Sequence, residues 1–210
     1  MRKLCLASCM IAAVLLAFSG CATGGRAKAT GQQAKAPSEQ AKTTAEEAKA
    51  PKFFLRVNCA ATEPYTDNAG NVWLPDQQVD PNKEWGAVGG MTVDRGDLAI
   101  TGTDAPKIYQ TERYSMEAYK FNVPNGAYTV RLHFAETYDG ITAAGQRIFS
   151  VTINDRAALT NFDPYKEAGG FQKPIVKTIE DVAVTGGELV IKFTVNVQNP
   201  EINGIEILAR

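Results

Sequence analysis

The sequence predicts an all-β domain, a jelly roll or related β-sandwich, carried behind a signal segment and a polar tether. Three observations predict it. Short runs with apolar residues at every second position recur between residues 53 and 210, the period of a half-buried strand. Clusters of Gly, Pro and Asn separate those runs at modest spacing. No amphipathic stretch of ten residues with helical period occurs in the same region.

In chain order, the first element is a targeting signal. Arg2 and Lys3 precede an apolar run, Leu4 to Phe18, that ends in Ser19-Gly20-Cys21. The run is short for a transmembrane helix and has the order of a secretory signal peptide, residues 1–20. A cysteine directly after two small residues resembles the lipobox of bacterial lipoproteins, although Phe18 stands where Leu is more common. That resemblance implies acylation of Cys21 and a lipid bilayer as partner, since each buried methylene contributes about 0.8 kcal/mol. Ala22 after the lipid cysteine resembles the outer-membrane sorting pattern of enteric bacteria, which implies the outer membrane of a bacterial cell envelope.

Residues 21–52 read as a tether. No aromatic residue occurs there, and Ala, Lys, Thr, Gln, Gly and Pro dominate, so no core can form. An Ala-Lys pair recurs every seven residues, at Ala27, Ala34, Ala41 and Ala48. A coiled coil does not follow, because no large apolar residue fills a heptad position and Pro37 and Pro51 interrupt. A random coil of this length spans roughly 30 Å.

The cargo, residues 53–210, is of single-domain size. The net charge of −1 excludes the strong basic field that nucleic-acid binding needs. Cys5 and Cys9 leave with the signal and Cys21 carries lipid, so Cys59 is the one thiol of the mature domain and reads as a buried packing residue. Strands are expected over Phe54–Cys59, Tyr119–Val123, Tyr128–Phe134, Ile148–Ile153, Leu189–Val195 and the closing run Ile202–Leu208. Pro124-Asn125-Gly126 reads as a hairpin turn, and Asn154-Asp155 and Gly186-Gly187 as turns.

Site chemistry is narrowed by what is scarce. One histidine, His133, and one mature cysteine exclude a standard zinc site, and no cofactor is implied. His133 is expected to face solvent or bond locally. Val88-Gly89-Gly90-Met91 lacks the spacing and lysine of a phosphate loop. Glu112 or Glu136 with Asp139 offers the carboxylate pair of a small glycosidase, set against an ion-paired frame with Arg113 and Arg147. Trp73, Trp85, Tyr109, Tyr114, Tyr138 and Tyr165 lie beside polar or turn-forming residues, where flat rings can stack on sugar C–H faces or cap the core.

Six strings carry a family resemblance: Val57-Asn58-Cys59, Thr66 to Trp73, Tyr109-Gln110-Thr111-Glu112-Arg113-Tyr114, Leu132 to Tyr138, Gly145 to Val151, and Asn199 to Ile207. In that order they resemble a malectin domain of the kind found in bacterial secreted proteins and beside glycoside hydrolases. The resemblance implies a jelly-roll sandwich of galactose-binding-like architecture, non-catalytic, holding an oligo- or polysaccharide such as an α-linked glucose disaccharide between loop aromatics. Carried over by position, it implies Trp85, Tyr114 and Tyr138 as the stacking platform. Asp139 stands where animal members have Phe, and Gln198 where they have an acid, and both are expected to bond sugar hydroxyls. Glu112, Arg113 and Glu136 are expected to form a structural frame. The alternatives are an envelope module that binds protein instead of sugar, and the small glycosidase.

Overall fold

A computed structural model of the chain describes residues 53–210. The signal segment, the tether and Cys21 lie outside the described residues. Twelve strands make up two sheets packed face to face. In chain order they are β1 Phe54–Asn58, β2 Tyr65–Thr66, β3 Val72–Pro75, β4 Trp85–Asp94, β5 Thr111–Asn122, β6 Gly126–Phe134, β7 Ile148–Ile153, β8 Arg156–Phe162, β9 Ile175–Val184, β10 Glu188–Val197, β11 Glu201–Ile202 and β12 Gly204–Ala209. The first sheet runs β2-β3-β1-β12-β6-β9. In the second, β5 pairs with β4 on one side and with β10 and β11 on the other, and β7 and β8 follow β10. A 3-10 turn at Pro106–Tyr109 and a five-residue helix, α1 Pro164–Ala168, are the helical elements described.

The core lies between the sheets because each strand turns its alternate residues inward. Val130, Leu132 and Phe134 of β6 face Phe149, Val151 and Ile153 of β7 and Leu189, Ile191 and Phe193 of β10. The rings of Phe134, Phe149 and Phe162 meet at centroid distances of 4.8 to 5.8 Å. Cys59 is fully buried in this core, and burial pushes its thiol well above the ordinary value, so it packs and does not react.

A smaller apolar cluster covers the outer face of the first sheet. Trp73, Ile108 and Tyr109 pack there with Ile100 and Ala135. His133, expected to face solvent or bond locally, is buried beneath them. Tyr109 Oη lies 2.8 Å from its Nδ1, Glu206 3.1 Å from its Nε2, and the Trp73 ring meets it edge-on. Its burial was not legible, because both bonding partners and the covering residues Trp73, Ile100 and Ile108 are distant in sequence.

Two turn assignments separate. Asn154 and Asp155 both adopt positive φ, 47° and 60°, and join β7 to β8 as a two-residue hairpin. Pro124-Asn125-Gly126 is not a hairpin: β5 belongs to the second sheet and β6 to the first, so this segment crosses between them. It is held against the β9–β10 crossing, where Val123 N donates to Gly187 O and Gly187 N to Asn125 Oδ1. The closing run is likewise two strands, because the chain passes from the second sheet to the first at Asn203. Asn203 is fully buried and bonds Ala135 N through Oδ1 and Thr111 O through Nδ2.

Asp163 ties α1 to the segment that leads into β7. Its Oδ1 caps the helix by accepting from Lys166 N at 2.9 Å, and its Oδ2 accepts from Gly145 N at 2.6 Å. Asp163→Ala is expected to cost about 1–2 kcal/mol, the usual range for a lost N-cap, read as a lowered urea midpoint at unchanged slope.

Candidate functional site

At one end of the sandwich a cavity of ≈ 320 Å³ opens, near the lower limit of the roughly 300–1,000 Å³ usual for ligand clefts. Strand register builds its wall. Val93 pairs with Glu112 and Met91 with Tyr114 across β4 and β5, so these four side chains share one face. Tyr114 Oη bonds Met91 Sδ at 3.7 Å. The loop after β6 brings Tyr138, 42% exposed, to the same cavity. Its ring lies over Gly140, where an added Cβ would come within 2.6 Å of the ring carbons, so that glycine sets the ring's position. The β10–β11 connection contributes Gln198 and Asn199, with Gln198 in the left-handed region at φ 61°.

The floor is ionic. Arg95 Nη2 donates to Glu112 Oε1 at 2.9 Å, and the Thr137 hydroxyl donates to Glu112 Oε2. Arg147 forks onto Glu136 through Nε at 2.6 Å and Nη2 at 3.3 Å, and its Nη1 donates to the Asn199 carbonyl. Arg95 also lies 6.0 Å from the Tyr138 ring centroid, within cation–π range. Burial pushes the Glu136 carboxyl above its ordinary value, although the Arg147 bond and a bond from Tyr138 N pull the other way. Arg95, Glu112 and Arg147 reach the cavity; Glu136 stays behind Arg147, fully buried.

The structure brings together three of the five proposed contact residues: Tyr114, Tyr138 and Gln198 line the cavity. Trp85 does not join them. It opens β4 opposite Phe121 and stacks on that ring at 6.0 Å, packed against the main core. Six residues of strand separate it from Met91, about 20 Å. Met91 is the β4 residue beside Tyr114. Asp139 is exposed in the loop after Tyr138 and is absent from the cavity lining. Trp73 and Tyr109 belong to the smaller core, and Tyr165 sits on α1.

The expected frame exists with different partners. Adjacent strand residues point to opposite faces, so Glu112 and Arg113 cannot pair. Glu112 takes Arg95, while Arg113 bonds Asp76 at 2.7 Å and Tyr119 at 3.1 Å on the other side. Arg95, Thr137, Asn199 and Glu201 are the members that sequence reasoning missed; no local signal marks them, because their partners are distant in the chain. Among the described residues, no three His, Cys, Asp or Glu side chains are placed to hold a metal, and no helix is long and apolar enough to cross a membrane.

Two sheets packed face to face, with tyrosines lining a cavity at one end, make the chain a β-sandwich module. The chain belongs to the malectin domain family, whose model matches residues 53–205. It is 32% identical over 170 residues to a probable LRR receptor-like serine/threonine-protein kinase of Arabidopsis thaliana, an alignment covering 67% of this chain and 16% of that protein. It is 28% identical over 117 residues to malectin of Mus musculus, covering 49% of this chain and 40% of that one. Among solved structures it is similar to a β-glucuronidase of Bacteroides uniformis, with TM-score 0.67 and 24% identity over 75% of this chain and 18% of that one. The ANXUR2 extracellular domain of Arabidopsis thaliana matches with TM-score 0.61 and 22% identity, covering 75% of this chain and 48% of that chain. These structural likenesses carry the fold. The relatives are longer proteins of which the chain spans a minor part.

Proposed function

We propose that the protein is a non-catalytic carbohydrate-binding module, anchored through acylated Cys21 to a bacterial envelope membrane, the outer membrane by the resemblance that Ala22 carries. The observation that carries the binding reading is the pair of aromatic rings, Tyr114 and Tyr138, walling one cavity above a polar floor. Stacked sugar C–H faces would fill the space between the rings. Gln198 and Asn199 and the unshared N–H groups of Arg95 and Arg147 would bond hydroxyls. The carboxylates are poorly placed for hydrolysis. Glu136 is buried behind Arg147, Glu112 is held by Arg95 and Thr137, and Asp139 lies outside the cavity.

With two rings in an open cleft, one site is expected to bind in the range of about 1 μM to 1 mM, and display in many copies would raise the avidity. The direct test is the full chain on an array of α-glucans and other glycans, beside Tyr114→Ala. Binding by the wild type alone supports the reading and names the sugar class. Silence across the whole array, with partner capture unaffected by Tyr114→Ala, would move the assignment to a protein-binding module.

A further inference from the structure

Beneath the cavity floor lies a group that the sugar contacts do not use. Glu201, in β11, is fully buried and paired in register with Tyr114 of β5. Its two carboxyl oxygens are the buried side-chain atoms that lack any hydrogen-bond partner among the described residues. The charged groups acting on it come from four directions: Glu112 on β5, Glu136 after β6, Arg147 before β7 and Arg95 after β4. Both guanidiniums are already committed, Arg95 to Glu112 and Arg147 to Glu136. Three buried carboxyls therefore share two cations, and Glu201 is the one left without a donor. A carboxylate in that position carries a desolvation penalty that no bond offsets, whereas a carboxylic acid carries far less.

We infer that Glu201 is a positioning residue of the cavity that works as an uncharged carboxylic acid, leaving Arg147 free to hold Glu136 and the Asn199 carbonyl. The geometry gives the consequence. Asn199 lies two residues before Glu201, and Pro200 O accepts from Ser115 N, so β5, the cavity wall and Glu201 move as one piece. If Glu201 gives up its proton, Arg147 faces two carboxylates and its bond to Asn199 competes with a new ion pair. The wall formed by Gln198 and Asn199 then loosens. Burial, reinforced by Glu112 and Glu136, pushes the Glu201 carboxyl well above its ordinary value, so the change belongs to rising and not falling pH. The effect on binding rests on the carbohydrate reading of this cavity; the effect on the wall does not.

Full chain and Glu201→Gln, which cannot ionise, are compared across a pH series by three measurements. In amide NMR the Gln198, Asn199 and Tyr114 signals should shift together as pH rises in the wild type and stay put in Glu201→Gln. Infrared difference spectra at neutral pH should show a protonated-acid carbonyl band that the variant lacks. Maltose, the probe sugar, should bind the wild type several-fold more weakly at the alkaline end and bind the variant at a constant affinity. The thermal melt has a fixed sign. An acid whose folded-state value is raised stabilises fully below its unfolded value and loses that stability as pH climbs through the folded one, so Glu201→Gln should flatten this decline. Identical wall shifts in both proteins, or no acid band in the wild type, overturn the inference. If maltose binds neither protein, the sugar reading for that ligand fails while the amide and infrared results still decide the role of Glu201. The infrared band of labelled wild type decides it even where the variant folds poorly.

Discussion

Arg147→Met is expected to destabilise the domain by about 3–5 kcal/mol, the usual cost of breaking a buried ion pair by removing one partner. The guanidinium is 4% exposed and its partner Glu136 not at all. Without it, the Glu136 carboxylate keeps one donor, Tyr138 N, and faces Glu112 and Glu201 with Arg95 the remaining cation. A domain of this size is stable by about 5–15 kcal/mol, so the loss takes a large share. Urea unfolding should show a much lower midpoint at nearly constant slope. The double variant Arg147→Met/Glu136→Leu should recover most of that stability, because replacing a whole buried pair by apolar groups is often neutral or better. Neither variant should hold a shaped cavity, since both remove the bond to the Asn199 carbonyl. A single-variant loss under about 1 kcal/mol would mean that the pair is solvated, contrary to its burial.

How much of this was legible in the sequence depends on which residues face which neighbours. β6, β7 and β10 announce themselves because one face meets the core and the other meets water, which writes a period of two. β4 is hidden by its glycines. A Cβ at Gly86 would stand 2.5 Å from the Gln78 and Val79 backbone, and Gly90 has φ 82° with Tyr114 O 2.9 Å from an added Cβ, so close packing removes the very side chains that would mark a strand. β9 is hidden by a bulge. Asp181 takes φ 55° and the register with β6 slips, so odd-numbered residues turn inward before it and even-numbered ones after. In the site, Tyr114 and Tyr138 stand in specific strings, whereas the partner of Tyr114 on β4 is fixed by strand pairing. Pairing is not written along the chain, so the position carried over to Trp85 could not show that Met91 pairs with Tyr114 and that Val93 is the β4 residue lining the cavity. The buried charges were harder still: Glu201 lies between Asn199-Pro200 and Ile202-Asn203, and nothing in that neighbourhood distinguishes a buried carboxyl from an exposed one.

The cavity assignment separates Trp85 from the two tyrosines by opposite outcomes. Tyr114→Ala/Tyr138→Ala is expected to weaken glycan binding roughly a hundredfold. Each ring would contribute about 1.5 kcal/mol of stacking, and 1.4 kcal/mol is tenfold in affinity. Its melting temperature should move little, because Tyr138 is 42% exposed and the half-buried Tyr114 bonds the exposed Met91 sulfur through its hydroxyl, outside the main core. Trp85→Ala should do the reverse. It removes a half-buried ring stacked on Phe121 and packed on the core, costing about 2–3 kcal/mol, somewhat below a fully buried aromatic deletion. At temperatures where that variant is folded, its affinity should equal that of the wild type, since its ring is about 20 Å of strand away from the cavity wall. Calorimetric titration with the glycan found on the array, paired with thermal melts, reads both quantities on the same samples. Should Trp85→Ala abolish binding while melting as the wild type does, the sugar lies along β4 toward Phe121 and not in the cavity between Tyr114 and Tyr138.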